Sequence, residues 1–208
     1  MQEQIGNRMG EVKRLGAYIG AFELVAWGAL EQVKVCLVIG GSVYDIRAIY
    51  GADIPAPPAS APVHYFVACR TGARGILFAV DTHKPVPVFN HYVIGVPLPG
   101  HEHGSLDPVR GDSPLRVICA RLGFAVVETQ RAGDCGIDVM CFHKKYTRDS
   151  ATFKKLRASL AAFVLARSLD PAWQQCFRAC GEACGPVPLD QALGRRNPAM
   201  DQESGRAF

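Results

Sequence analysis

Between Val63 and Leu98 the chain repeats one pattern, an apolar run rich in β-branched and aromatic residues followed by a turn. The runs are VHYFVAC, GILFAVDT and VPVFNHYVIGVPL, and the turns are RTGARG, THKP and PGHEHG. Short runs of this composition, closed by Gly, Pro, Asn and Asp, are strands. Connections this short hold no crossover helix, so the strands are antiparallel neighbours. A sheet with an apolar face must be covered, and the flanking sequence supplies helices to cover it.

Residues 9–31 (MGEVKRLGAYIGAFELVAWGALE) have the length and spacing of a helix, interrupted by Gly16, Gly20 and Gly28. A β-branched run follows at Val33–Ile39, closed by Gly40 and Gly41. After a short segment around Tyr44–Tyr50, the proline density of IPAPPASAP forbids regular structure. Downstream of the strand-rich region, GDSPLRVICARLGF starts a helix with Asp112 or Ser113 as its cap and Pro114 at the first helical position; Gly123 ends it. FAVVETQ is a further strand. GIDVMCFHKKY, SATFKKLRASLAAFVLARSL and PAWQQCFRACGEAC read as helices. The expected class is α+β, a central and mostly antiparallel sheet flanked by helices. Residues 1–184 are expected to form one domain and 185–208, rich in Pro, Gly, Gln and charge, a disordered tail.

Composition narrows the function. A net charge of +4 is mildly basic, and the basic residues are dispersed. The one cluster, from Lys144 and Lys145 to Arg157, reads as a solvated helix face, so no nucleic-acid partner is expected. The apolar run Leu15–Leu30 is interrupted by Glu23 and followed by Glu31 and Lys34. It falls short of the ~20 residues that span a bilayer, so no membrane association is expected. The start MQEQIGNRMGEVKR has no apolar core of a signal peptide. The expectation is an intracellular protein whose eight cysteines are reduced.

One cysteine has a particular address. In ETQRAGDCGIDVMC, Cys135 sits where a helix begins, five residues after Gln130. The exposed N–H groups and dipole of a helix N-terminus stabilise a thiolate. A histidine in reach would activate it further. Gly136 keeps side-chain bulk away, and Gln130 and the Cys135 N–H could serve an oxyanion. A small apolar cysteine in a first helical turn is the plainer alternative. Only His143 lies downstream, eight residues along the same helix, which is too far to return to the first turn. Papain-like, OTU-like and NlpC-like enzymes place their histidine well after the cysteine. A catalytic Cys135 therefore requires an upstream base.

That order, with Q…GDCGIDV, resembles the Ulp1-like (SUMO protease) cysteine peptidases, whose clan includes the adenovirus protease and YopJ-type effectors. The likeness covers about residues 84–145. It implies the papain-like fold in permuted order: a strand carrying a His-aromatic pair, an acid, a helix, a strand, Gln, then D-C-G opening a helix. Two pairs fit. His91-Tyr92 with Asp107 sixteen residues on leads to the helix, strand and Cys135 without surplus. His64-Tyr65 with Asp81 seventeen residues on has the cleaner hairpin but needs an insertion of about thirty residues. The first is preferred. The resemblance then implies Cys135 as nucleophile, His91 as base, Asp107 as orienting acid and Gln130 as oxyanion donor. It also implies a ubiquitin-like protein or a polyprotein as substrate, with no cofactor or metal. This chain departs from the pattern in Tyr for the usual Trp, a shorter Gln–Cys spacing, and Asp138, a carboxylate three residues after the thiol. A YopJ-like acetyltransferase and an inactive protease-fold binding module are the alternatives. Cys176, Cys180 and Cys184 read as one buried helix face rather than a zinc site, and His101-Glu102-His103 as an exposed turn.

Overall fold

The computed structural model describes residues 1–83, 89–101, 106, 109–130 and 133–181. It is an α+β fold with a mixed sheet flanked by helices. The strands are β1 (Lys34–Ile39), β2 (Ser42–Asp45), β3 (Val63–Thr71), β4 (Leu77–Ala79), β5 (His91–Pro97) and β6 (Phe124–Val127). Their spatial order is β2-β1-β3-β5-β6, with β4 paired to the end of β3. Every pairing is antiparallel except β1 with β3, which run parallel with Lys34 opposite Val63 and Ile39 opposite Ala68.

Among the described residues there are seven α-helices: α1 (Gln2–Val12), α2 (Ala21–Glu31), α3 (Ile46–Tyr50), α4 (Leu115–Arg121), α5 (Cys135–His143), α6 (Ser150–Leu165) and α7 (Pro171–Gly181). Alternation along the strands sorts side chains to two faces. Phe66, Ala68, Tyr92 and Ile94 join the larger core under α2 and α5, with α1, α6 and α7 packed outside. Val67, Cys69 and Val93 join a smaller core closed by Leu115, Ile118, Cys119 and Leu122 of α4 and its end. Among the described residues, no helix is long and apolar enough to cross a membrane.

The expected helix over 9–31 is two helices. Gly16 turns the chain with φ +76, and α2 starts afresh at Gly20. There Glu23 Oε2 accepts the Gly20 N–H at 2.7 Å, reaching back to cap the helix. The same carboxylate is 1% exposed and is held by Arg8, with Nε at 2.8 Å and Nη2 at 3.0 Å. A glutamate in an apolar run is thus a helix start, and it leaves residues 13–20 as a connecting segment.

The basic cluster also differs from expectation. Lys154 and Lys155 face solvent, whereas Arg157 of α6 is fully buried. Cys176 and Cys180 lie in the core on one side of α7, while Cys184 and the expected tail fall outside the described residues.

Candidate active site at the start of α5

Asp134 precedes α5 in the position of a helix cap but does not cap it. Its Oδ1 instead accepts from Gly16 N at 3.0 Å and from Arg157 Nη2 at 2.7 Å. The first N–H groups of α5 are therefore not taken up by the Asp134 side chain, and those of Cys135 and Gly136 act on the Cys135 sulfur. Three backbone N–H groups, those of Tyr92, Gly136 and Cys135 itself, are directed at it. They favour the thiolate. Burial outweighs them, so the thiol stands above its usual range, and the Asp134 carboxylate pushes the same way. Cys135 is 2% exposed.

The Tyr92 N–H that meets the sulfur belongs to the residue after His91, at the start of β5. The His91 ring is 5% exposed, and its Nε2 lies 3.2 Å from Thr129 Oγ1. The same hydroxyl donates to the Tyr92 carbonyl. His91 is also fixed through its backbone, whose carbonyl accepts the Cys69 thiol across the β3–β5 pair at 3.5 Å. Cys135, His91 and the end of β6 are thus gathered at one corner of the sheet.

Two bonds to the backbone hold the segment after β6 on either side of Thr129. Gln130 N donates to Asp138 Oδ2 at 2.6 Å, and Arg148 Nη2 donates to Glu128 O at 3.0 Å. Arg148 and the fully buried Asp138 form a bidentate ion pair, Nε to Oδ1 and Nη2 to Oδ2. Asp138 is therefore a structural partner of Arg148. The carboxylate that acts on the Cys135 thiol is Asp134. The Gln130 side chain is exposed, and its Nε2 donates to Arg148 O at 2.8 Å, so the expected oxyanion donor is engaged away from the sulfur. Asp107 lies outside the described residues, as do Glu102 and His103, while His101 is exposed.

His64 and Asp81 are not brought together. Val35 stands opposite His64, whereas β4, which leads to Asp81, pairs with the far end of β3 at Cys69–Thr71. Five residues of strand, about 16 Å, separate His64 from Cys69, the nearest β3 residue paired with β4. Asp81 Oδ1 accepts from His83 N in a local turn. The His64 ring packs between Trp27 and His143, with centroids 5.5 and 4.3 Å away. His143 ends α5, eight residues or about 12 Å of helical rise from Cys135. Of the two histidines that fit the order, His91 shares the corner with the thiol.

A roof closes this corner. Ile19 packs on Gly136 so closely that a Cβ there would come within 2.9 Å of the Ile19 Cβ. Gly133, with φ +86, lies against the Gly16 carbonyl, where a Cβ would overlap the oxygen. Tyr18 stacks on Tyr92 at 5.7 Å. Arg157 binds the whole assembly: Nη1 donates to Val12 O at 2.9 Å, and Nη2 to Ala17 O at 2.7 Å as well as to Asp134. Thr129, Arg157 and residues 13–20 were not foreseeable as parts of the site. Their residue types carry no chemical signature, and only the tertiary fold brings them to Cys135. Comparison with protein-family models, with curated proteins and with solved structures finds no match to this chain.

Proposed function

We propose that the chain is a cysteine peptidase of the Ulp1-like type, hydrolysing a peptide or isopeptide bond through a thioester on Cys135. The observation that carries this reading is the seat of the sulfur. It lies at the uncapped start of α5, on the N–H that follows His91. The succession β5, α4, β6, α5 supports the permuted papain-like order, with histidine strand, helix, strand and cysteine helix in turn.

In the proposed reaction, the His91 imidazole accepts the Cys135 proton and the thiolate attacks the substrate carbonyl carbon. Backbone N–H groups of Cys135 and Gly136 stabilise the oxyanion. The amine leaves with the proton from His91, and a water deprotonated by His91 then cleaves the thioester, returning the free thiol. Asp107 is the proposed orienting acid, sharing the His91 Nε2 proton with the Thr129 hydroxyl. Gln130 joins the oxyanion donors only if its amide leaves the Arg148 carbonyl. The proposed substrate is a ubiquitin-like protein or a polyprotein, and entry requires residues 13–20 to move aside.

A second reading, a protease-fold module that binds without turnover, draws on the 2% exposure of Cys135 and its raised thiol. A panel of ubiquitin-like proteins bearing a C-terminal vinyl sulfone separates the two. The peptidase forms an adduct on the Cys135 peptide that is lost in Cys135→Ser and at least tenfold slower in His91→Ala, the scale of a general base. Absence of an adduct with every probe favours the binding module.

A further inference from the structure

We propose that Thr129 is a positioning residue whose hydroxyl fixes His91 as the tautomer with its proton on Nε2 and its lone pair on Nδ1. The argument begins with the hydroxyl's single hydrogen. A carbonyl oxygen can only accept, so the contact with Tyr92 O uses that hydrogen. Toward His91 Nε2, 3.2 Å away, the same oxygen can then only accept, and the ring nitrogen must carry the proton. A neutral imidazole protonated at Nε2 is an acceptor at Nδ1, the state a base needs before it takes a proton. The pair is buried, Thr129 at 9% and His91 at 5%, so water competes weakly for either group.

The hydroxyl is held in place by its neighbours. Glu128 O is bound by Arg148 and Gln130 N by Asp138, so the backbone is fixed on both sides of Thr129. Tyr92 O, which takes the hydroxyl hydrogen, belongs to the residue whose N–H meets the Cys135 sulfur. One peptide segment of β5 thus orients the thiol from its nitrogen side and the histidine partner from its carbonyl side. Second contacts of this kind set which ring nitrogen is basic and hold the ring's orientation.

The use of this tautomer as a base rests on the proposed Cys135–His91 pair, but the tautomer itself does not. The test is carried out on the full chain with ¹⁵N-labelled histidine, alongside the rate at which iodoacetamide alkylates the Cys135 peptide across pH. Thr129→Val keeps the shape and removes the hydroxyl; Thr129→Ser keeps the hydroxyl. In the wild type, the neutral His91 is expected to show a protonated Nε2. In Thr129→Val the ring nitrogens move toward a tautomer mixture, and alkylation near pH 7 falls about tenfold with a displaced pH profile. Thr129→Ser restores both, and thermal unfolding confirms that each variant is folded. A wild-type His91 protonated at Nδ1, or ring shifts unchanged in folded Thr129→Val, overturns the proposal. If the tautomer responds as expected but His91→Ala leaves the Cys135 profile unchanged, the tautomer lock stands and the peptidase reading fails.

Discussion

Arg157 reaches inward from α6 and ties together carbonyls of Val12, Ala17 and Gly133 and the carboxylate of Asp134. Removing its charge leaves Asp134 beside a buried gap. Arg157→Met is therefore expected to lower the unfolding free energy by about 3–5 kcal/mol, the cost of breaking one side of a buried pair. Urea denaturation measures it. Arg157→Lys is expected to recover little, because a single ammonium cannot reach acceptors that the planar guanidinium spans. Residue identity announced only part of this corner. D-C-G and His-Tyr are types whose chemistry is visible in sequence, and the fold sets the thiol against the backbone N–H of Tyr92, the residue after His91. An arginine among lysines reads as surface, and a threonine after a strand reads as nothing in particular. Where their polar heads go is decided by packing alone.

At the scale of elements, α5 carries different chemistry at its two ends. The thiol is at its start, and His143 at its end stacks on His64 in a half-buried aromatic group with Trp27. Burial first, then His143 and Lys144, hold His64 down to about 4. An unfolded chain protonates this ring near 6.5. Acidification between those values therefore adds a proton to the unfolded state alone and favours it. The contribution is complete above pH 6.5 and is lost as pH falls toward 4. The ring is partly open to water, so screening reduces the effect to about 1–2 kcal/mol. His64→Phe is expected to flatten this acid limb, seen as a smaller change in urea midpoint between pH 7 and pH 4.5 than in the wild type. Equal changes in both proteins would refute the assignment. The elements themselves were largely legible: β3, β5, β6 and α4 to α7 lie where composition and turn residues put them. The break between α1 and α2 was not, because an apolar run around a buried glutamate matches a continuous helix until the glutamate is seen capping Gly20.

Across the whole molecule, the α+β class followed from strand runs bounded by turns and flanked by helical segments. The parallel pairing of β1 with β3 did not follow. The chain between them, through β2, α3 and the proline-rich loop, has none of the long helical crossover that marks a parallel pair in sequence. Nor did the sequence indicate that the N-terminal helix belongs to the core. Ile5, Met9 and Val12 are each fully buried, and α1 packs on α6. Burial of three such side chains is worth about 5 kcal/mol or more, a large share of the ~5–15 kcal/mol that holds a domain together. Deleting residues 1–20 is thus expected to lower the melting temperature by ten degrees or more, roughly 2–4 °C per kcal/mol at this size. Differential scanning calorimetry reads this directly. A truncated chain that melts with the full one would show α1 to be dispensable.

The roof over Cys135 also has a consequence in time. Gly16 bonds to Asp134 across 118 residues, and Val12 and Ala17 to Arg157 across 145 and 140. During synthesis the first helix leaves the ribosome long before the arginine that anchors its following segment. Contacts this distant in sequence are slow to close. This segment is made well before it is secured, and until α6 emerges the cover over the thiol lacks its anchor.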